Sequence, residues 1–287
     1  MIPFDAIILY VSSTIIFLFL LPYYQSNPNI IVSHNINIPI LSLLSLFISN
    51  FFYKLKVTDF IKNQKIQKST AEFDELIKKI LPESISFRLR KEGKITPMIQ
   101  EATVVFVDFV SFSKITKSTN IQKVLEILDE LFGEFDKILI QYNLEKIKTM
   151  GDGYMYAGGL FSNQTQLREA IDSAIEIQNL LEKKREELIS LTNFPWEARI
   201  GIDCGNVISG VIGNWRFSFD IWGDTVNIAF RLVTECEPGK INISRNVFER
   251  IWFYNEYQLE PRGVLPIKNL GTIEMFYLHP SKKSIEK

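Results

Sequence analysis

Val104-Val105-Phe106-Val107-Asp108-Phe109 places an aspartate at the end of an apolar, β-branched run. Further along, Lys146-Ile147-Lys148-Thr149-Met150-Gly151-Asp152-Gly153-Tyr154 places a second aspartate in a glycine turn. The first stretch reads as a buried strand and the second as a hairpin. A carboxylate just outside a buried strand is costly unless a cation or hydrogen-bond donors meet it. Two of them on adjacent strands would make an oxygen-lined site suited to Mg²⁺ and a substrate phosphate. Each also has a plain structural reading: Asp108 as a helix N-cap, Asp152 as a turn aspartate before glycine.

Outward from this pair, short strands alternate with long helices. Ala102–Asp108 reads as a buried strand, and Ile121–Tyr142 as an amphipathic helix with Asn120 as N-cap. Glu145–Met150 and Tyr154–Ala157 flank the Gly151-Asp152-Gly153 turn, and a Glu- and Lys-rich helix runs from Gln166 to Leu191. Glu197–Asp203 and Val207–Ile212 read as a further hairpin around Cys204-Gly205-Asn206. Thr225–Glu235 is a helix, and shorter strands close the chain. Mixed strands with helices on one face predict an α+β domain of the split βαβ, ferredoxin-like kind.

The N-terminal end is different. Ala6–Tyr23 carries no formal charge and is long enough to cross a ~30 Å hydrocarbon core. Ile36–Tyr53 is similar, with a short uncharged connection around Gln25-Ser26-Asn27-Pro28. A signal peptide would need a basic leader and a small-residue cleavage site, which the first run lacks. Two membrane helices are therefore expected. Lys54, Lys56, Lys62 and Lys65 follow the second run, which predicts that both termini and the remaining chain are cytoplasmic, at a cell (inner) membrane. Residues 57–81 are charged and helix-forming, with Ile66, Phe73 and Ile80 at heptad spacing, and read as a linker helix able to pair two subunits. The expected division is 1–56 for the membrane helices, 57–92 for the linker and turn, and 93–287 for the α+β domain.

Composition excludes other classes. The 287 residues include 32 basic and 33 acidic ones, so no global field favours nucleic acid. Cys204 and Cys236 lack CxxC spacing, and His34 and His279 lie away from both aspartates, which argues against zinc, disulfide and histidine chemistry.

Three blocks carry a resemblance. Phe106-Val107-Asp108-Phe109 with Phe112-Ser113, Lys146 through Met155, and Phe219-Asp220-Ile221-Trp222-Gly223-Asp224-Thr225-Val226-Asn227-Ile228-Ala229-Phe230-Arg231 resemble the catalytic domain of class III nucleotidyl cyclases. The similarity runs from Leu81 to Leu278 and includes Arg262-Gly263 and Ile267-Lys268-Asn269-Leu270-Gly271. It implies a palm-like βαββαβ core behind the membrane helices. It also implies attack of a ribose 3′-hydroxyl on the α-phosphate, with release of pyrophosphate. The implied metal set is Asp108, Phe109 and Asp152, holding two Mg²⁺ per site, with Mn²⁺ as a substitute. Asn227 orients the ribose and Arg231 meets charge on the α-phosphate; the two are four apart, on one helix face. Phe109, Ser111 and Phe112 match the phosphate loop, and Arg199 and Lys268 match the terminal-phosphate contacts. Lys148 and Asp220 match the base-reading pair of the adenylate type, since lysine donates to adenine N1 and the carboxylate accepts from N6. Guanine presents the reverse pattern. ATP is thus the implied substrate, with a homodimer and membrane lipids as partners. A guanylate cyclase and a catalytically silent nucleotide-binding module are the alternatives.

In such a dimer Asp108, Asp152 and Arg199 would come from one subunit, and Lys148, Asp220, Asn227, Arg231 and Lys268 from the other. This chain carries both sets. Three positions depart from the family pattern: Ser111 replaces a glycine, Phe230 a small residue, and Asn269-Leu270 a Gly-Lys pair.

Overall fold

The computed structural model describes residues 4–78, 81–92, 96–162, 164–213, 218–267 and 271–281. It divides into two units, Met1–Ile80 and Leu81–Lys287.

In the first unit, α1 (Phe4–Tyr24) and α2 (Pro28–Lys78) are long and apolar enough to cross a membrane. Their apolar side chains face outward, and Thr14 and Ser42 approach across the pair at 3.4 Å. α2 is one helix of 51 residues that joins the second apolar run to the charged segment. The composition changes near Tyr53-Lys54-Leu55-Lys56, but no helix breaker marks the change, so the expected boundary at 56 is not a break in the backbone. Ile66, Phe73 and Leu76 are exposed on α2; Ile80, the last of the expected heptad positions, lies outside the described residues.

The second unit opens with α3 (Glu83–Glu92), which contains the basic stretch at Arg88 and Lys91. Next come β1 (Met98–Phe109), α4 (Phe112–Ser118), α5 (Ile121–Gln141), β2 (Glu145–Met150), β3 (Gly153–Gly158), α6 (Leu167–Thr192) and β4 (Ala198–Ile212). β5 (Ser218–Trp222), α7 (Asp224–Thr234), β6 (Ile241–Ser244), α8 (Arg245–Ile251), β7 (Tyr257–Ile267) and β8 (Gly271–Pro280) complete it. The hydrogen-bonded order is β2-β3-β1-β4-β6-β8-β7, with β5 on β4. Its first four strands, antiparallel throughout, form the split βαββαβ unit expected from sequence. Asn120 caps α5 as expected, its side chain accepting from the Gln122 amide at 2.8 Å.

One expectation is corrected. Cys204-Gly205-Asn206 is not a turn, because β4 runs through it without interruption. Every residue from Ala198 to Ser209 has a partner on β1, Gly205 facing Ala102. The glycine serves packing instead: a Cβ there would stand 2.8 Å from Thr225 Oγ1, which donates to the Asn206 carbonyl.

Strand alternation gives the sheet two unlike faces. Val105, Val107 and Phe109 of β1, with Ile200, Ile202 and Cys204 of β4, join a core that includes Leu131, Phe135 and Leu139 of α5 and Ile171 and Ile177 of α6. Phe106, Asp108, Arg199, Gly201 and Asp203 belong to the other face, which carries α7, so the helices are not confined to one face as expected from the sequence. A Cβ on Gly201 would lie 2.4 Å from the Val233 amide nitrogen and 2.5 Å from the Ala229 carbonyl. Only glycine lets the α7 backbone rest on β4.

Candidate active site

Asp108 lies opposite Gly153 of β3 and Arg199 of β4. Arg199 Nε and Nη2 both reach Asp108 Oδ2, at 2.8 and 2.7 Å, while its Nη1 donates to the Thr234 carbonyl at 2.9 Å. That carbonyl ends α7, where the helix presents its partial negative charge. One guanidinium therefore links the β1 aspartate, β4 and the end of α7.

Asp152 sits in the two-residue turn between β2 and β3, half-buried. Burial pushes its carboxyl above the ordinary range; the Asp108 charge adds to this, and its own backbone amide and Arg199 oppose it. The two carboxylates first noted in the sequence are close enough to sense each other's charge.

Between β1 and α4 the chain turns at Ser111, whose φ of 59° is left-handed. A glycine adopts that conformation without the Cβ clash, which explains in backbone terms why Ser111 is a departure. The Val110 amide donates to the Glu197 carbonyl at 2.8 Å, so this part of the expected phosphate loop is already engaged. The first amides of α4, at Phe112 and Ser113, have no intrahelical acceptor. The Phe109 ring is buried against Phe135 and Trp196, and Phe112 packs edge-on to Trp196. Any part these two residues play in the site is therefore through their main chain.

The base-reading pair is assembled within one chain. Lys148 Nζ donates to Asp220 Oδ2 at 2.5 Å, and Asp220 Oδ1 accepts from the Ile221 amide at 2.9 Å. A register shift between Lys146 and Lys148 resets β2 where Lys148 emerges. β3, β1 and β4 separate β2 from β5 in hydrogen-bonding order, so this is a side-chain contact between strands that are not neighbours in the ladder.

Asn227 and Arg231 are exposed on α7, and among the described residues their side chains make no hydrogen bond or ion pair. Phe230 beside them packs edge-on to Phe106, ring centroids 5.5 Å apart, so the bulky departure helps seat α7 on β1. Lys268, with Asn269-Leu270, lies outside the described residues. The structure thus gathers Asp108, Asp152 and Arg199 into one cluster and Lys148 with Asp220 into another, and leaves Asn227 and Arg231 facing outward.

Sequence reasoning passed over Asp203. Ile200-Gly201-Ile202-Asp203-Cys204 is also an aspartate in an apolar strand, the signal used for Asp108, but the expected hairpin drew attention to the next residues.

A family model described as "Adenylate and Guanylate cyclase catalytic domain" matches residues 96–280. An adenylate cyclase of Mycobacterium tuberculosis is 32% identical over 208 residues, covering 71% of this chain and 46% of that protein. A receptor-type guanylate cyclase of Caenorhabditis elegans is 29% identical over 218 residues, covering 74% of this chain and 20% of its own length. The chain thus spans less than half the length of these relatives. Among solved structures, the adenylyl cyclase CyaB from P. aeruginosa superposes with a TM-score of 0.62 at 23% identity, over 66% of this chain and 98% of that one.

Proposed function

The chain belongs to the class III nucleotidyl cyclase catalytic-domain family, and from that premise we propose that it is a membrane-anchored adenylate cyclase. It converts ATP to 3′,5′-cyclic AMP and pyrophosphate at sites completed by two copies of the chain. The observation that carries the choice of base is the Lys148–Asp220 pair. An ammonium donor beside a carboxylate acceptor complements the N1 and N6 edge of adenine and opposes that of guanine. The 2.5 Å contact holds the two groups side by side before any base arrives.

The remaining residues divide the work. Asn227 orients the ribose. Arg231 meets the charge that develops on the α-phosphate as the O3′–P bond forms and the bond to the pyrophosphate oxygen breaks. Arg199 exchanges Asp108 for the terminal phosphates, where Lys268 also acts. The main chain from Phe109 through Ser111 to Phe112 borders the phosphates. The donor set fits divalent cations, because Asp152 is raised by burial and by the Asp108 charge, and a cation relieves both. Asp108, Asp152 and the main chain at Phe109 would hold two Mg²⁺, or Mn²⁺ in their place, which supply positive charge at the 3′-oxygen and the triphosphate.

Asn227 and Arg231 face outward and have no side-chain partner among the described residues, which supports sharing between subunits in a C₂ homodimer. The two apolar helices and the lysines after them support a lipid bilayer, with both termini on the cytoplasmic side.

Purified full-length protein supplied with Mg²⁺ or Mn²⁺ should make cyclic AMP from ATP and little cyclic GMP from GTP. Cyclic GMP as the main product would overturn the base assignment, and no product from either nucleotide would favour a silent binding module. Mixing Asp152→Ala chains with Arg231→Ala chains should restore activity, since one of the two shared sites then carries neither lesion. No recovery in well-mixed dimers would exclude the sharing.

A further inference from the structure

Lys148, the base-reading lysine of the function proposed above, sits on β2, the edge strand of the sheet. Unlike β3 beside it, which is buried throughout, β2 contains no fully buried residue. An edge strand with no side chain in the core is held by its ladder, its turn and whatever reaches it from outside. Its pairing is also irregular: Lys146 lies opposite Tyr156 and Lys148 opposite Met155, so Ile147 is an extra residue between them. Tyr156 belongs to the core under α5, whereas Met155 pairs with Phe106 on the α7 face. Two lysines that simple alternation would place together therefore leave the strand on opposite faces.

On the α5 face the anchor is Asp136. The Lys146 ammonium reaches both of its carboxylate oxygens, at 2.8 and 2.9 Å, and stands 5.0 Å from the Tyr154 ring centroid. The Tyr154 hydroxyl donates to the same carboxylate, and its fully buried ring packs on Phe132 and Phe135. One α5 side chain thus ties β2 to β3 immediately before the bulge, two residues from Lys148. At 39% and 41% exposure the Lys146–Asp136 pair adds little to overall stability, so its effect is local.

We propose that Asp136 is a positioning residue for base selection: through Lys146 and Tyr154 it fixes the bulged segment of β2 from which Lys148 extends toward the base. The inference rests on the reading of Lys148 as the donor to adenine N1. A β2 released from α5 lets Lys148 occupy more positions, which weakens the contact with adenine and relaxes the opposition to guanine. Lys146 acts from the face opposite Lys148, so its influence on the base passes through the strand.

The test measures kcat and KM for ATP and for GTP in the full-length protein. Lys146→Met keeps the stem and removes the ammonium. It should raise KM for ATP with kcat little changed, and lower the ATP-to-GTP ratio of kcat/KM roughly tenfold. Asp136→Asn, which keeps an acceptor for Tyr154, should lower the ratio in the same direction, and it decides the matter if Lys146→Met misfolds. Lys146→Arg keeps a cation within reach of Asp136 and should hold the ratio within about threefold of the parent. Lys184→Met breaks the α5–α6 ion pair with Glu130, at 2.6 Å, and should leave the ratio unchanged, as would any substitution that only weakens the fold. In a Lys148→Met background, Lys146→Met should lower the ratio no further, because it acts through Lys148. If the parent prefers ATP and Lys148→Met abolishes that preference, while Lys146→Met and Asp136→Asn keep the parent's ratio, the positioning role is overturned and the base reading stands. A parent without a preference for ATP, or a Lys148→Met chain that retains one, would overturn both.

Discussion

The two faces of the central sheet come from the same strands and differ by one residue of phase. On β1, Val105, Val107 and Phe109 meet α5 and α6, while Phe106 and Asp108 meet α7 and Arg199. On β4, Ile200 and Ile202 enter the core, while Arg199, Gly201 and Asp203 serve the other face. The first face is specified by volume: Phe135, Leu131 and Tyr156 are buried, and substituting any of them leaves a hole. The second is specified by charge, by an absent Cβ and by hydrogen-bond geometry. A protein can therefore keep its largest apolar core on one side of a sheet and its charged pairs on the other, with only the pleat between them.

The sharpest way to break this contrast is a pair of substitutions. Phe135→Ala should cost about 3–5 kcal/mol of stability, measured by chemical denaturation, and leave the turnover of each folded molecule near that of the parent. Arg231→Ala should lower turnover roughly 10²–10³-fold, about 3–4 kcal/mol of barrier, with the unfolding midpoint unchanged. If Arg231→Ala destabilised the protein as much as Phe135→Ala, the division of labour between the faces would fail.

A second test concerns Asp203, which belongs to the chemical face but is as buried as the core. Burial raises its carboxyl from 3.8 to about 6. The folded chain thus holds this proton more tightly than the unfolded chain does, and the group's contribution to stability falls as pH rises from about 4 to 6. Over that interval the difference is at most about 3 kcal/mol. Asp203→Asn should therefore gain stability relative to the parent at pH 8 and lose that advantage near pH 4, as read from denaturation midpoints at the two pH values. A gap independent of pH would mean that Asp203 is not held against its ionisation.

The smallest effect is expected at Ser111. Replacing it by glycine removes a left-handed strain of about 1 kcal/mol, so Ser111→Gly should raise the unfolding midpoint by a few degrees. An unchanged or lower midpoint would mean that the loop is set by its contacts instead of by backbone preference.

Much of this was legible before the structure. The strand at Ala102–Asp108, the glycine hairpin at Asp152 and the helices expected over Ile121–Tyr142, Gln166–Leu191 and Thr225–Glu235 follow from periodicity and turn chemistry, because each rests on neighbours in sequence. The roles proposed for Asn227 and Arg231 come from the resemblance alone. What sequence did not disclose depends on register between distant segments. Arg199 meets Asp108 because β4 pairs antiparallel with β1 in the register that sets these two residues opposite each other, 91 positions apart in the chain. Lys148 meets Asp220 across strands that are not neighbours in the sheet. Asp203 is held by Ser244 and Asn246, which no local pattern links to it.

The unbroken α2 has a mechanical consequence. From Pro39 to Lys78 it contains neither a further proline nor a glycine, so its apolar and charged parts share one rod without a joint. Bending is resisted along that length, and a disturbance at the apolar part reaches Lys78 as torsion, tilt or axial travel.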